Sequence, residues 1–309
     1  MGLPKVSVVM NCYNAQKYLR EAIDSVYAQT YSDWEIVFLD DASTDASAAI
    51  AKSYDLRLRY FCSERRVPLG AARNLALEQC RGELIAFLDC DDLWLPTKLE
   101  KQVPLFADPE VGLAFSNCWI FNDQGMQRLQ YQSSSDYATE RCFDALLMRY
   151  FLSIPTVVIR RAVLGPRNEW VEDDFQVSEE ADLFLRIAHR WKLAMIDEPL
   201  AKYRVHAGSD TWNKSDRFLI EALRMLQKYR SMIPDFDRLH GVAAQHYEDR
   251  ARYADAIFRW RTGAGADARA QLRRIRRKTV KQRILWTLSF LPFKMLEPFL
   301  SRLSKILPA

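Results

Sequence analysis

The sequence predicts an α/β protein, a mostly parallel sheet wrapped by helices, with an α-helical extension at its C-terminal end. Three observations carry this. Short runs rich in Val, Ile and Phe recur along the first half of the chain, nearly continuous rather than alternating, as suits strands buried on both faces. Segments of helical period lie between them, and strand–helix–strand repetition closes most simply into a parallel sheet. After residue 232 the strand-like runs stop, and Ala, Arg, Leu and Tyr take over.

The elements follow in order. Residues 6–10, 35–39, 59–62, 84–88 and 112–115 read as strands, and residues 156–160 as a later one. Leu19, Ile23 and Val26 mark one apolar helix face, and Ala71, Leu75 and Leu77 another. Residues 178–191 read as a helix, with Ser178 as N-cap and Leu183, Ile187 and Trp191 four apart. Beyond Pro234 two or three helical segments run to about Arg283, broken at Gly263 and Gly265. Residues 284–307 place Leu288, Leu291, Met295, Phe299, Leu303 and Ile306 at steps of three and four, an amphipathic helix interrupted by Pro292 and Pro298. The expected division is a catalytic domain over 1–232, with a nucleotide-binding half to about 115 and an acceptor half over 116–232. A basic helical extension over 233–283 and an amphipathic segment over 284–309 would follow.

Composition narrows the class. At 309 residues, 49% hydrophobic and 27% charged, the chain has ample core material and is neither disordered nor polytopic. Its net charge of +4 hides an asymmetry. From Arg259 onward 13 Lys/Arg face two acids, whereas the first 258 residues are net acidic. The six cysteines are scattered singly, which argues against a structural zinc site or a disulfide framework and for a reducing compartment. No leader signature opens the chain and no run of about 20 apolar residues occurs, so a cytoplasmic location is expected.

The chemistry-bearing residues follow the strands. Asn11, Tyr13 and Asn14 come after the first run, Asp40 and Asp41 after the second, and Asp89, Asp91 and Asp92 after the fourth. In a parallel sheet these ends share one edge, where open α/β folds bind ligands. Five carboxylates in one crevice repel one another unless a divalent cation, Mg²⁺ or Mn²⁺, accepts their oxygens and neutralises a bound diphosphate. No glycine-rich phosphate loop occurs, so a nucleotide would rely on metal and basic side chains, with Arg73 a candidate partner. Asp45, beside Ser43 and Thr44, reads better as a turn or helix cap than as a ligand.

Residues 6–14, the stretch 29–35 (QTYSDWE), Asp40-Asp-Ala-Ser-Thr-Asp45, Gly70-Ala-Ala-Arg-Asn74, the run 82–92 ending Leu-Asp-Cys-Asp-Asp with Leu95-Pro96, and Tyr203-Arg-Val-His206 together resemble family-2 glycosyltransferases of bacterial polysaccharide and glycolipid synthesis. The likeness covers roughly residues 5–210, in order. It implies a GT-A fold, a nucleotide-sugar donor (a UDP-sugar first) and, usually, inversion at the anomeric carbon. By position it implies Asp41 together with Asp40 at the nucleobase, Asp89 and Asp91 as a D-x-D element for ribose and metal, Asp92 as a further metal ligand, Arg73 near the nucleotide, and His206 near the diphosphate or metal. His206 is nearly as well read as a core or loop histidine. The base departs from the family pattern. Relatives show Glu-Asp-aromatic-Asp, and here Ser178-Glu-Glu-Ala-Asp182 puts Glu180 at the base position, with Glu179 and Asp182 in support. Glutamate can take the acceptor hydroxyl's proton, although it is one methylene longer. Otherwise Glu179 and Glu180 would only complement the helix dipole.

The tail admits several readings. Ten Lys/Arg between 259 and 283 could serve a nucleic acid or a solvated helix face. Followed directly by an amphipathic segment with Trp286, Phe290, Phe293 and Phe299, they fit better an interfacial anchor on the inner face of the membrane, suited to a lipid-linked or polysaccharide acceptor, with no nucleic acid involved. Burial of that stripe inside the protein or against a partner competes with this. Two other functions share the acidic crevice: a sugar nucleotidyltransferase, which should carry a glycine-rich basic loop after the first strand, and a non-catalytic nucleotide-binding membrane scaffold.

Overall fold

The computed structural model describes residues 4–131, 142–167, 170–206, 217–276 and 279–296. The chain gathers into two compact units: residues 1–146 with 150–209, and residues 147–149 with 210–309.

The first unit is built on one sheet. Its leading strands are β1 (Val6–Cys12), β2 (Trp34–Asp40), β3 (Leu58–Cys62) and β4 (Leu84–Phe87), all parallel, in the order β3-β2-β1-β4. They are the apolar runs read from the sequence, and β1, β2 and β4 are almost wholly buried, as covered faces require. Helices α1 (Leu19–Tyr27), α2 (Ser47–Ala51) and α3 (Leu69–Glu78) connect them. Leu19, Ile23 and Val26 pack into the main core beside Val8, Ile36 and Phe38.

Beyond β4 the sheet changes direction. β5 (Leu93–Trp94) and α4 (Lys98–Gln102) lead to β6 (Val111–Phe121), which pairs with the short β7 (Gln127–Leu129). α5 (Phe143–Met148) precedes β8 (Val158–Arg160), which is antiparallel to both β4 and β6. α6 (Glu179–Arg190) then feeds β9 (Lys192–Arg204), parallel to β6 along most of its length and capped at the far edge by antiparallel β5. The sheet is therefore parallel in its first half and mixed in its second. β5, β7 and β9 were not anticipated from the sequence. β9 is the consequential one, because it carries Arg204 to the strand ends and His206 just beyond.

Ser178 precedes α6 as expected, but its side chain makes no capping hydrogen bond. Lys98 is completely buried, bonded to Gln102 at 2.6 Å and lying over Trp94, and burial pushes its ammonium well below the usual lysine range. Gln102 in turn donates to the Thr156 carbonyl at 2.9 Å, so this polar pair ties α4 to the segment before β8.

The second unit is helical: α7 (Arg217–Met232), α8 (Phe236–Arg261), α9 (Gly265–Arg274) and α10 (Val280–Leu288). α7, which the sequence reading assigned to the catalytic domain, groups with this unit. A small core joins Ala256 and Trp260 of α8, Ala268 and Leu272 of α9, Ile275, and Leu285 of α10, with Leu288, Phe293 and Leu296 packed against it. The apolar stripe expected over 284–307 is thus divided. Leu288 packs inward, Leu291 and Met295 are exposed, and Phe299, Leu303 and Ile306 lie outside the described residues. Among the described residues no helix is long and apolar enough to cross a membrane.

Candidate active site

The parallel register sets the site. β1 and β4 pair with Val9 opposite Phe87, and just beyond, the Leu88 amide bonds the Val9 carbonyl. Continuing the same offset puts Asn11 beside Asp89, and the Cys90 thiol meets the Asn11 carbonyl at 3.2 Å. Both amide atoms of Asn11 are buried with no partner among the described residues. A buried, unsatisfied amide is costly, which makes Asn11 a candidate for a ligand contact.

Asp40 and Asp41 end β2 with different duties. Asp40 is buried, accepting from the Ser43 amide at 2.9 Å and the Tyr60 hydroxyl at 2.7 Å, so its carboxylate is spent on fixing the turn. Asp41 accepts from the Ser63 hydroxyl at 2.8 Å and the Val67 amide at 3.1 Å, which holds the loop after β3 against the strand end. Arg66 projects from that loop, and its guanidinium lies 3.8 Å from the centre of the Tyr13 ring. Tyr13 is 42% exposed. Ala42 adopts a left-handed conformation with φ of 57°, a strained state for alanine at the tip of the turn. Asp45 accepts from the Gln16 and Ser47 amides, the turn-and-cap role its neighbours suggest.

The acids at 89–92 sit in three environments. Asp89 keeps 36% of its side-chain surface open, with the Arg73 guanidinium at 3.7 Å. Burial in the crevice pushes its carboxyl up to about 6, against the pull of Arg73 and with help from Asp91 and Glu179. Asp91 meets the His206 ring nitrogen Nε2 at 2.9 Å. Asp92 is buried: one oxygen accepts from the Arg204 amide at 2.8 Å and the other has no partner among the described residues. Burial, then Asp91 and Asp89, push its carboxyl well above the ordinary range.

Arg204 holds this turn, and sequence reading missed it. Its Nε donates to the Asp91 carbonyl at 2.8 Å, and its other nitrogens reach Asp123 at 2.7 Å and Glu21 at 2.9 Å. The guanidinium lies over the rings of Tyr18 and Phe121. His206 also packs on Tyr18, with ring centres 5.2 Å apart. The sequence contained the signal, an arginine within the Tyr203–His206 motif, but the partners come from α1 and from the turn between β6 and β7.

Arg73 lies between the Asp89 turn and the acids of α6. Arg73 is 2% exposed and donates to Glu179 at 2.9 Å, with Glu180 also in its field. Its charge faces protein carboxylates, whereas Arg65 and Arg66 are exposed cations in the loop after β3. Gly70 permits the arrangement: a Cβ there would sit 2.0 Å from the Glu172 carbonyl, so only glycine lets α3 approach the segment before α6 this closely. Glu180 is half-buried, and burial with the charge of Glu179 drives its carboxyl well above the usual glutamate range despite Arg73. Asp182 is fully buried and paired with Arg186 at 3.1 Å.

Among the described residues no group of three or more His, Cys, Asp or Glu side chains forms a ready metal cage. The open oxygen of Asp92 and the carboxylate of Asp91 nonetheless fit a hard divalent cation, which usually takes one or two protein carboxylates and completes its shell with substrate phosphates and water.

This geometry meets its comparison in the known proteins. The model of glycosyl transferase family 2 matches residues 7–164, from β1 through β8. The chain belongs to glycosyl transferase family 2. An uncharacterized glycosyltransferase of Methanocaldococcus jannaschii is 32% identical over 213 residues, 66% of this chain and 72% of that protein. The UDP-Glc:α-D-GlcNAc-diphosphoundecaprenol β-1,3-glucosyltransferase WfgD of Escherichia coli is 29% identical over 219 residues, 68% of this chain and 80% of the relative. The match to an uncharacterized glycosyltransferase of Rickettsia felis spans only 35% of that longer protein. The fold is GT-A. It superposes on S. aureus TarS residues 1–349, solved with UDP-GlcNAc, with a TM-score of 0.61 at 19% identity, covering 92% of this chain and 79% of that one. A Pyrobaculum calidifontis mannosyltransferase solved with GDP-Man and Mn²⁺ gives 0.57 at 18% identity, covering 94% and 85%.

Proposed function

We propose that this family-2 protein moves a hexose from a nucleotide-diphosphate-sugar, a UDP-sugar first among them, to a hydroxyl of a lipid-linked or polysaccharide glycan, with inversion and with a divalent metal. The carrying observation is the convergence of the Asp89–Asp92 turn and the α6 acids on Arg73, within a family-2 chain. The bound ligands of the two structural neighbours and the lipid-linked substrate in the name of WfgD support the substrate class.

On this reading Asn11, Tyr13 and Arg66 receive the nucleotide, and Asp41 acts through the loop it holds. Asp91 and Asp92 would hold Mn²⁺ or Mg²⁺, which when bound neutralises the diphosphate leaving group. Glu180 takes the acceptor hydroxyl's proton as its oxygen attacks the anomeric carbon, while the bond to the diphosphate breaks on the opposite face. Arg73 and Glu179 position Glu180 and Asp89. Asp182 is occupied by Arg186 and supports α6 rather than the acceptor. The protein would work at the cytoplasmic face of the membrane, where lipid-linked acceptors are presented.

The test is release of free nucleoside diphosphate from a panel of nucleotide sugars, with and without Mn²⁺. Metal-dependent release of UDP from one of them is the expected result. With pyrophosphate added, formation of nucleoside triphosphate and sugar-1-phosphate would mark a nucleotidyltransferase, and no turnover with any acceptor would mark a binding scaffold.

A further inference from the structure

The second unit exposes an apolar ridge that its own core does not use. Leu285, Leu288, Phe293 and Leu296 turn inward. Trp286, Phe290, Leu291 and Met295 stay out, the last two at 47% and 70% exposure. The ridge is held in place. Trp260 donates to the Leu291 carbonyl at 2.9 Å, and its ring meets Phe293 edge-on at 5.1 Å. Arg269 bonds the Ser289 carbonyl and lies 4.2 Å over the Phe290 ring. A Cβ at Gly265 would come within 2.6 Å of that same carbonyl, so glycine brings α9 directly against the turn. Trp286 and Phe290 touch edge to face at 4.9 Å. The exposed rings are thus presented by a braced turn.

The surroundings are strongly cationic. Among the described residues from 259 to 296 there are nine Lys/Arg and one acid, Asp267, which Arg259 already faces at 3.9 Å. Arg273, Arg274, Arg276, Lys281, Arg283 and Lys294 are all exposed. A second copy of this face would bring like charges together, which disfavours self-association. A nucleic acid would satisfy the charges and stack on the rings, but it would leave the exposed aliphatic side chains of Leu291 and Met295 unmatched.

We propose that α10 and the turn after it form a docking surface for an anionic lipid bilayer, with Trp286, Phe290, Leu291 and Met295 entering the headgroup boundary. Lys281, Arg283 and Lys294 face the acidic headgroups. Aromatic rings beside cations match both layers of that boundary, apolar below and charged above. This deepens the proposed function by naming its membrane partner, and it rests on that reading only for the purpose of docking.

The experiment floats the full chain on vesicles of phosphatidylcholine alone or with phosphatidylglycerol, beside Mn²⁺-dependent UDP binding as a separate readout. Flotation should require phosphatidylglycerol, weaken with salt, and fall at least tenfold in Trp286→Ser/Phe290→Ser and in Lys281→Glu/Arg283→Glu. UDP binding should stay unchanged in both. Because these side chains are exposed, the fold should tolerate the changes. Trp286→Phe gives a second check: it should float normally but lose quenching by brominated acyl chains. Flotation indifferent to phosphatidylglycerol or to the double variants overturns the proposal. So does a dimer in solution, or an oligonucleotide complex, that the same variants dissolve. Loss of UDP binding with flotation intact would instead count against the proposed donor site.

Discussion

At the residue scale the site turns on which carboxylates are free to act. Glu180 is the half-buried acid of α6, whereas Glu179 is committed to Arg73 and Asp182 to Arg186. We expect Glu180→Gln to lower kcat by roughly 10²–10⁴-fold with little change in donor affinity, and Glu180→Asp to retain part of the activity. Steady-state kinetics with a matched acceptor would check this; a harmless Gln variant would move the base elsewhere. The pH dependence follows from the raised carboxyl. A base works only when ionised, so kcat should climb with pH through a limb lying above the ordinary glutamate range, and that limb should vanish in the Gln variant. Arg73 makes a different prediction. Removing it strands Glu179 in the interior, where an uncompensated charge costs roughly 3–5 kcal/mol, so Arg73→Gln should lower Tm markedly as well as activity. A variant that kept full stability while losing donor affinity would return Arg73 to the nucleotide.

At the scale of elements, the sequence was legible where information is local. β1, β2 and β4 announced themselves as apolar runs, and the acids behind them followed from strand polarity alone. β9 did not, because Lys192–Arg204 carries charges, Pro199 and an irregular register rather than an alternating pattern. The environment of Arg73 was equally hidden. An arginine on a helix reads as solvent-facing, but the close approach of α3 at Gly70 to Glu172 and the pairing with Glu179 are both long-range. The C-terminal stripe was seen as one face, but the turn after α10 splits it between a core and a surface. This changes what a truncation would do. Ending the chain before Ile284 removes Leu285 and its packed neighbours as well as the exposed ridge. We therefore expect that truncation to expose α8 and α9 to limited proteolysis. Leu285→Ala alone should destabilise the helical unit by about 2–5 kcal/mol, the usual range for a buried leucine. Proteolysis indistinguishable from wild type would mean this small core contributes little.

For the whole molecule, the crevice couples stability to pH and to metal. Three acids there, Asp89, Asp92 and Glu180, have carboxyls raised by burial and by neighbouring carboxylates, Asp91 and Glu179 foremost. A raised carboxyl means the folded protein binds more protons than the unfolded chain, so stability falls as pH rises from the unfolded value toward the folded one. For Asp89 that window runs from about 4, the ordinary aspartate value, to about 6. For Asp92 and Glu180 it extends higher. The metal-free protein should accordingly lose thermal stability between mildly acidic and neutral pH, apart from its global charge. A divalent ion favours the ionised carboxylates, so Mn²⁺ at neutral pH should restore the loss and release protons as it binds. Adding UDP with the metal should stabilise further, by about 2.7 kcal/mol at a hundred times its Kd. In Asp91→Ala/Asp92→Ala the dependence on pH should flatten and the response to Mn²⁺ disappear, while the fold persists. Thermal melts across pH, with Mn²⁺ or chelator, read all of these at once. A double variant that still gains stability from Mn²⁺ would remove the metal from this strand end.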